Sequence, residues 1–291
     1  MRQHYQDIAF RRESLNQIIV LNQILDEYRE LGFKLTVRQL YYQMVARDYI
    51  PNTERSYKNI TRLVNDGRLA GLIDWDMIED RTREFVTRSR WTSPAAIVSA
   101  CASQYHEDMW EPQDHRVFVI IEKEALVSVL ERVCRNYDVP LLAARGYPSV
   151  SVLREFASQH VRLADQQIQI IHLGDHDPSG MDMTRDLISR ISMLSGYDDF
   201  ELDRIALNMD QIEELNPPPN PAKTTDARFK AYRAEFGSSS WELDALPPTY
   251  LEELVEGKIK SFIDEDRWAE SEARVYEGRE KLNQIAEQLN D

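Results

Sequence analysis

The sequence predicts an α/β fold: a helical N-terminal part, then a parallel sheet covered by helices, then a helical C-terminal extension. Three observations carry this. From about residue 112, apolar strand-like runs alternate with helix-like runs, as in "RVFVIIE" followed by "KEALVSVLERVCRNY". Strand alternating with helix implies right-handed βαβ units and a parallel sheet covered on both faces. Ahead of that point, three segments have helical spacing and are joined by short turns. The chain closes in helical sequence, where Trp268, Val275, Leu282 and Leu289 recur every seven residues with Ile285 beside them. With 291 residues the chain can bury a sizeable core and form two domains, expected at 1–110 and 111–291.

The elements follow in order. "SLNQIIVLNQILDEYRELG" (14–32) is expected to be a helix stopped by Gly32, and "LTVRQLYYQMVARD" a second helix with Thr36 as its N-cap. "SYKNITRLVNDGRLAGLI" (56–73) reads as a third, with a glycine-marked end. Three short arginine-bearing helices suggest a helix-turn-helix or winged-helix module. "RVFVIIE", "PLLAA" and "IQIIHLG" are strands, and each is followed by a helical run. "NPPPNPAKTTDAR" (216–228) is a loop. The C-terminal heptads are expected to pack within the chain, with a dimer seam as the alternative.

Composition narrows the functional classes. No apolar run approaches the length of a membrane span, and "MRQHYQDIAFRRES" lacks the apolar core of a signal peptide. Cys101 and Cys134 form no metal spacing, so they are expected to be reduced core residues of a cytoplasmic protein. The net charge of −15 argues against a generic nucleic-acid binder, but it is unevenly spread. Residues 1–95 hold 15 Lys+Arg against 13 Asp+Glu, and the remainder holds 20 against 37. DNA contact would therefore fall to N-terminal arginines, with Arg55, Arg62 and Arg68 as backbone-contacting candidates.

Acids stand at the ends of the two most strand-like runs. Glu122 closes "VFVIIE", and Asp175 and Asp177 close "IIHLGDHD". In open α/β sheets, ligands bind beyond the carboxyl ends of the strands. Asp175 and Asp177 are two apart, so an extended backbone points both to one side. Three converging acids repel unless a cation lies among them, and hard oxygen donors of this kind suit Mg²⁺. "PSG" then leads into a helix whose N-terminus favours a phosphate. A phosphatase with an aspartyl nucleophile is a competing reading. It wants Thr or Val soon after the second Asp, where this chain has Pro178-Ser179.

"VIIEKEAL", "RGYPS" (145–149) and "LGDHDPSG" together resemble the Toprim motifs of the topoisomerase VI A-subunit family. That family includes the meiotic double-strand-break protein and small phage- or plasmid-borne versions, and the likeness covers roughly residues 30–190. The resemblance implies that Glu122, Asp175 and Asp177 bind the metal, rather than Glu124. It also implies a tyrosine nucleophile on a winged-helix domain, and "VRQLYY" is similar to the family's R-x-x-Y-Y pattern.

Helical spacing puts Val37, Leu40, Tyr41, Met44 and Val45 on a core stripe. Tyr42 lies about 100° further round and shares a face with Arg38. Tyr42 is thus expected to be exposed beside a cation, which favours its phenolate. Tyr42 as nucleophile and Arg38 as phosphate or phenolate partner are the expected catalytic pair.

By resemblance, a homodimer would join the tyrosine of one subunit to the metal site of the other, cut both DNA strands and leave 5′-phosphotyrosyl ends. A separate ATP-binding B-type subunit is the family's partner; this sequence has no Gly-rich phosphate loop of its own. Two alternatives remain: a Toprim nuclease using water and metal, and a non-catalytic DNA-binding subunit. Lys223 is a further residue that could reach the site. "SSSWELDALPPTYLEELV" (238–255) resembles a segment of phage-type relatives, with no chemistry attached to it.

Overall fold

The computed structural model of the chain describes residues 1–79, 88–162 and 165–289. Four helices come first: α1 (Arg12–Glu30), α2 (Val37–Ala46), α3 (Glu54–Leu69) and α4 (Pro94–Gln104). Gly32, just past α1, has φ +82°, the left-handed region that glycine enters freely. Thr36 caps α2 in a capping box: its hydroxyl accepts from Gln39 N–H, and Gln39 Oε1 accepts from Thr36 N–H. Thr53 caps α3 by accepting from Ser56 N–H. Beyond the helices this part has two isolated bridges, His4–Ala70 and Leu35–Ile78. No β-hairpin wing is found there among the described residues.

The main sheet has four parallel strands: β1 (His115–Ile121), β2 (Leu141–Ala143), β3 (Gln167–Leu173) and β4 (Phe200–Ala206), in the order β2-β1-β3-β4. Strand alternation divides the core. Val117, Val119, Ile121, Ile171 and Leu173 join one apolar cluster, and Phe118, Ile120, Ile168 and Ile170 join another.

The second face is covered by α6 (Val150–Phe156), which ends in a π-helical turn, and by α7 (Pro178–Ser195). The first face is covered by α5 (Val127–Asn136), by a late helix spanning Pro248–Lys260, and by α1 to α3. The N-terminal helices and the sheet therefore share one continuous core, to which each fully buried Leu or Ile contributes about 2 kcal/mol.

β4 is an addition to the sequence expectation. Its residues alternate between exposed and half-buried, as an edge strand's do, so it lacks the apolar run that marks β1 and β3. After it come α8 (Met209–Leu215), the two-residue strands β5 (Asn220–Pro221) and β6 (Ser239–Ser240) flanking α9 (Phe229–Phe236), then α10 (Pro248–Lys260) and α11 (Glu265–Gln288). The 216–228 segment is a loop, as expected, apart from β5.

α11 runs along α4, so the heptads begin as intramolecular packing. Val275 is buried and Trp268 meets Trp110 edge to face, but Leu289 is 51% exposed. Cys134 is buried as expected; Cys101, expected in the core, is exposed, because it lies on the outer side of α4. No helix among the described residues is long and apolar enough to cross a membrane.

Candidate active site

The strand order fixes where a site can form. The chain leaves β1 for β2 on one side and leaves β3 for β4 on the other, so a crevice opens beyond β1 and β3. Register pairs Ile121 with Leu173, which brings Glu122 beside Gly174. Glu122 Oε2 accepts from Asp175 N–H at 2.9 Å. Two glycines make room for that carboxylate. A Cβ on Gly174 would lie 3.1 Å from Glu122 Oε2, and one on Gly180 would meet the Asp175 carbonyl oxygen at 2.2 Å. Burial is the main cause that raises the pKa of Glu122, and the charge of Asp177 adds to it.

Asp175 is buried, and its two oxygens are committed. Oδ1 accepts from Leu243 N–H at 2.8 Å, and Oδ2 pairs with Lys123 Nζ at 2.9 Å. Burial nevertheless outweighs this one close cation and pushes its carboxyl up to about 7. Lys123 is half-buried, which disfavours its charge, but three acids around it, Asp244, Asp175 and Glu242, hold it as an ammonium well above its ordinary value.

Asp177 is the N-cap of α7: Oδ1 accepts from Ser179 N–H, Ser179 Oγ–H and Gly180 N–H. Glu122, Asp175 and Asp177, expected to gather round one divalent ion, thus come to one crevice with their oxygens engaged differently. Among the described residues, no three His, Cys, Asp or Glu side chains gather closely enough to hold a metal. The reason is local: Lys123 takes the cation position at Asp175, and helix capping takes one oxygen of Asp177. Glu122 Oε1 and Asp177 Oδ2 accept no hydrogen bond among the described residues. What fits a hard cation here is this two-carboxylate edge, with Glu122 cradled between the two glycines.

Beneath the acids lies Arg204 of β4. Its guanidinium donates to the carbonyls of Gly174, Asp175, Gly180 and Leu207. It thus sets the turn that carries both aspartates, and its charge partly offsets theirs. His172 is fully buried, with its ring held against Thr184, and burial lowers its pKa to about 3, so it is neutral.

The tyrosines lie on α2. Tyr41 is in the core, as the helical stripe predicts; its hydroxyl donates to Asn52 Oδ1 at 2.9 Å and accepts from Thr53 N–H at 3.0 Å. Tyr42 was expected to be exposed and is instead 5% exposed. The face that leaves the α2 stripe is covered by the excursion after β4. Asn220 hydrogen-bonds the Tyr42 hydroxyl, and Glu242 closes the other side. Together with Arg38, Tyr41 and Tyr57 they bound a cavity of about 250 Å³. The expected phenolate is corrected as well. Burial, reinforced by Glu242 and Asp244, pushes the Tyr42 phenol up to about 12, against the opposing charge of Arg38.

The expected Arg38–Tyr42 pairing is present, with the guanidinium carbon 5.8 Å from the ring centre. Arg38 also pairs with Glu242 and, through Nε, with Asp244 Oδ2 at 2.7 Å. The wholly buried Asp244 carboxylate is thus held by the positive charges of Lys123 and Arg38. Glu242 reaches on to Lys123. A chain of charges, Arg38–Glu242–Lys123–Asp175, thus joins the tyrosine helix to the acid crevice within one protomer. The segment that carries Glu242 and Asp244 is anchored by a backbone bridge between His176 and Trp241. Around it, the His176 ring is held by Tyr232 and Phe236.

Of the other candidates, Arg55 and Arg62 are exposed along one side of α3 and, with Arg11, line a groove of about 660 Å³. Arg68, the third expected DNA contact, is half-buried, with its guanidinium 4.3 Å from the centre of the Trp75 ring. Glu124 pairs with Arg145, and both line the same cavity as Glu122 and Asp175; Lys223 is exposed on its loop.

Sequence reasoning missed Lys123, Arg204, Glu242 and Asp244. Lys123 stands inside the quoted "EKEA". Glu242 and Asp244 repeat in "WELDAL" the two-residue spacing of Asp175 and Asp177, a signal that was available. No protein-family model matches the chain, and no curated protein matches it in sequence.

Proposed function

We propose that the protein is a Mg²⁺-dependent DNA-cleaving enzyme of the topoisomerase VI A type, acting as a homodimer through Tyr42 and the strand-end acids. The observation that supports this most is the charge chain from Arg38, beside Tyr42, through Glu242 and Lys123 to Asp175 and the Glu122 crevice. It puts a candidate nucleophile and a candidate metal edge at two ends of one polar seam.

Mg²⁺ would be held by Glu122 and Asp177, and would supply positive charge to the scissile phosphate. Lys123 and Arg38 bind the phosphate's remaining oxygens. The Tyr42 oxygen attacks phosphorus, forming the phosphotyrosyl bond as the bond to the 3′ oxygen breaks. The phenolic proton ends on that 3′ oxygen, so the step is a reversible transesterification. Arg55 and Arg62 on α3 hold flanking backbone phosphates. A separate ATPase subunit would be needed for a driven strand-passage cycle.

The hydrolytic alternative draws on a specific observation: Tyr42 is covered, with its phenol pushed up to about 12. Incubation with supercoiled plasmid and Mg²⁺, followed by detergent with or without protease, separates the two. The proposal expects cut DNA retained by protein until protease is added, and no adduct in Tyr42→Phe. Full cleavage by Tyr42→Phe overturns it in favour of hydrolysis.

A further inference from the structure

We propose that Arg38 and Lys123 form a binding site for a phosphate group, and that Glu242 fills this site from within as a pseudosubstrate. Arg38 comes from α2 and Lys123 from the turn after β1, yet both converge on one oxygen, Glu242 Oε2. Two cations from separate parts of the fold that meet on a single anionic oxygen are what a phosphodiester oxygen requires. Glu242 remains accessible, with 27% of its side chain exposed, whereas Asp244 beneath it is fully enclosed. The two acids therefore have different roles. Asp244 keeps the cations in place, and Glu242 can be exchanged.

The same carboxylate roofs the Tyr42 cavity. Displacing Glu242 would therefore vacate the cation pair and uncover the tyrosine in one movement. The movement required is that of the Glu242 side chain, since the backbone of Ser239–Ala245 is held by the His176–Trp241 bridge, by Leu243 N–H on Asp175 Oδ1 and by the β5–β6 pairing. The clasp would keep the enzyme closed until a backbone phosphate competes for Arg38 and Lys123. That DNA is the natural competitor rests on the function proposed above; the anion site itself does not.

The test measures binding and exposure rather than cleavage, so it stands or falls apart from the proposed activity. The full chain is titrated against a short labelled duplex in chelator, comparing wild type, Glu242→Gln and Glu242→Gln/Lys123→Gln. Glu242→Gln is expected to bind about tenfold tighter, with a salt slope steeper by about 1 to 2, and the second substitution is expected to cancel the gain. Equal or weaker binding by folded Glu242→Gln overturns the proposal. Should that variant fail to fold, wild type decides alone. Inorganic phosphate, exchanged for chloride at constant ionic strength, is expected to increase nitration of Tyr42 read by mass spectrometry. No increase overturns it.

Discussion

The acid crevice and the tyrosine pocket are both buried, and in both burial is the largest cause of a raised pKa, yet their surroundings differ in sign. In the crevice, Lys123 and Arg204 stand against the acids and temper the effect. In the pocket, Glu242 and Asp244 add to burial, and the one helpful cation, Arg38, is shared with those same acids. Burial alone therefore does not say what a group can do. The crevice is arranged to receive further positive charge, and the pocket is arranged to keep a phenol protonated until its neighbours change.

The comparison can be broken most forcefully at Glu122. Glu122→Gln is expected to lower plasmid cleavage by at least about 10³-fold while the circular dichroism spectrum stays unchanged; substantial residual cleavage would remove the crevice from the chemistry. Arg204→Met strips four carbonyls of their donor in the same place. It should destabilise the fold by about 3 kcal/mol in urea denaturation, and a neutral result would show that the acids need no cation beneath them.

Asp175 sharpens the contrast through pH. Its carboxyl is raised to about 7 in the folded chain and returns to about 4 on unfolding, so between those values the folded state holds the extra proton. Its contribution to stability is fully present below that window and is lost as pH rises through it. Asp175→Asn should flatten that part of the stability–pH curve. On the pocket side, Tyr41→Phe removes the bonds to Asn52 and Thr53 and should cost about 1 kcal/mol without altering cleavage. The smallest effect is expected on α3: Arg55→Gln and Arg62→Gln should each lower the salt slope of DNA binding by about 1.

Much of the fold was legible because its signals are local. β1 and β3 are apolar runs, Thr36 and Gln39 form a capping pair three residues apart, and Leu40, Tyr41 and Met44 follow helical spacing. Glu122 was legible as the residue that ends a strand. What escaped depends on distant segments. Tyr42 leaves the helix's own apolar stripe, as periodicity says, but residues some 180 to 200 positions later cover it. Asp177 carries the residue type of a ligand and also that of a helix N-cap, and spacing does not separate the two uses. β4 escaped because an edge strand shows half the apolar pattern of a central one.

Arg204 ties a peripheral strand to the centre of the molecule. One planar group on β4 grips the turn after β3, the first turn of α7 and the chain just beyond itself. A shift of that outermost strand would therefore pull on the turn that carries Asp175 beside Glu122. Substitutions on the rim of the sheet thus become a means of retuning the acids from a distance, with no acid ever replaced.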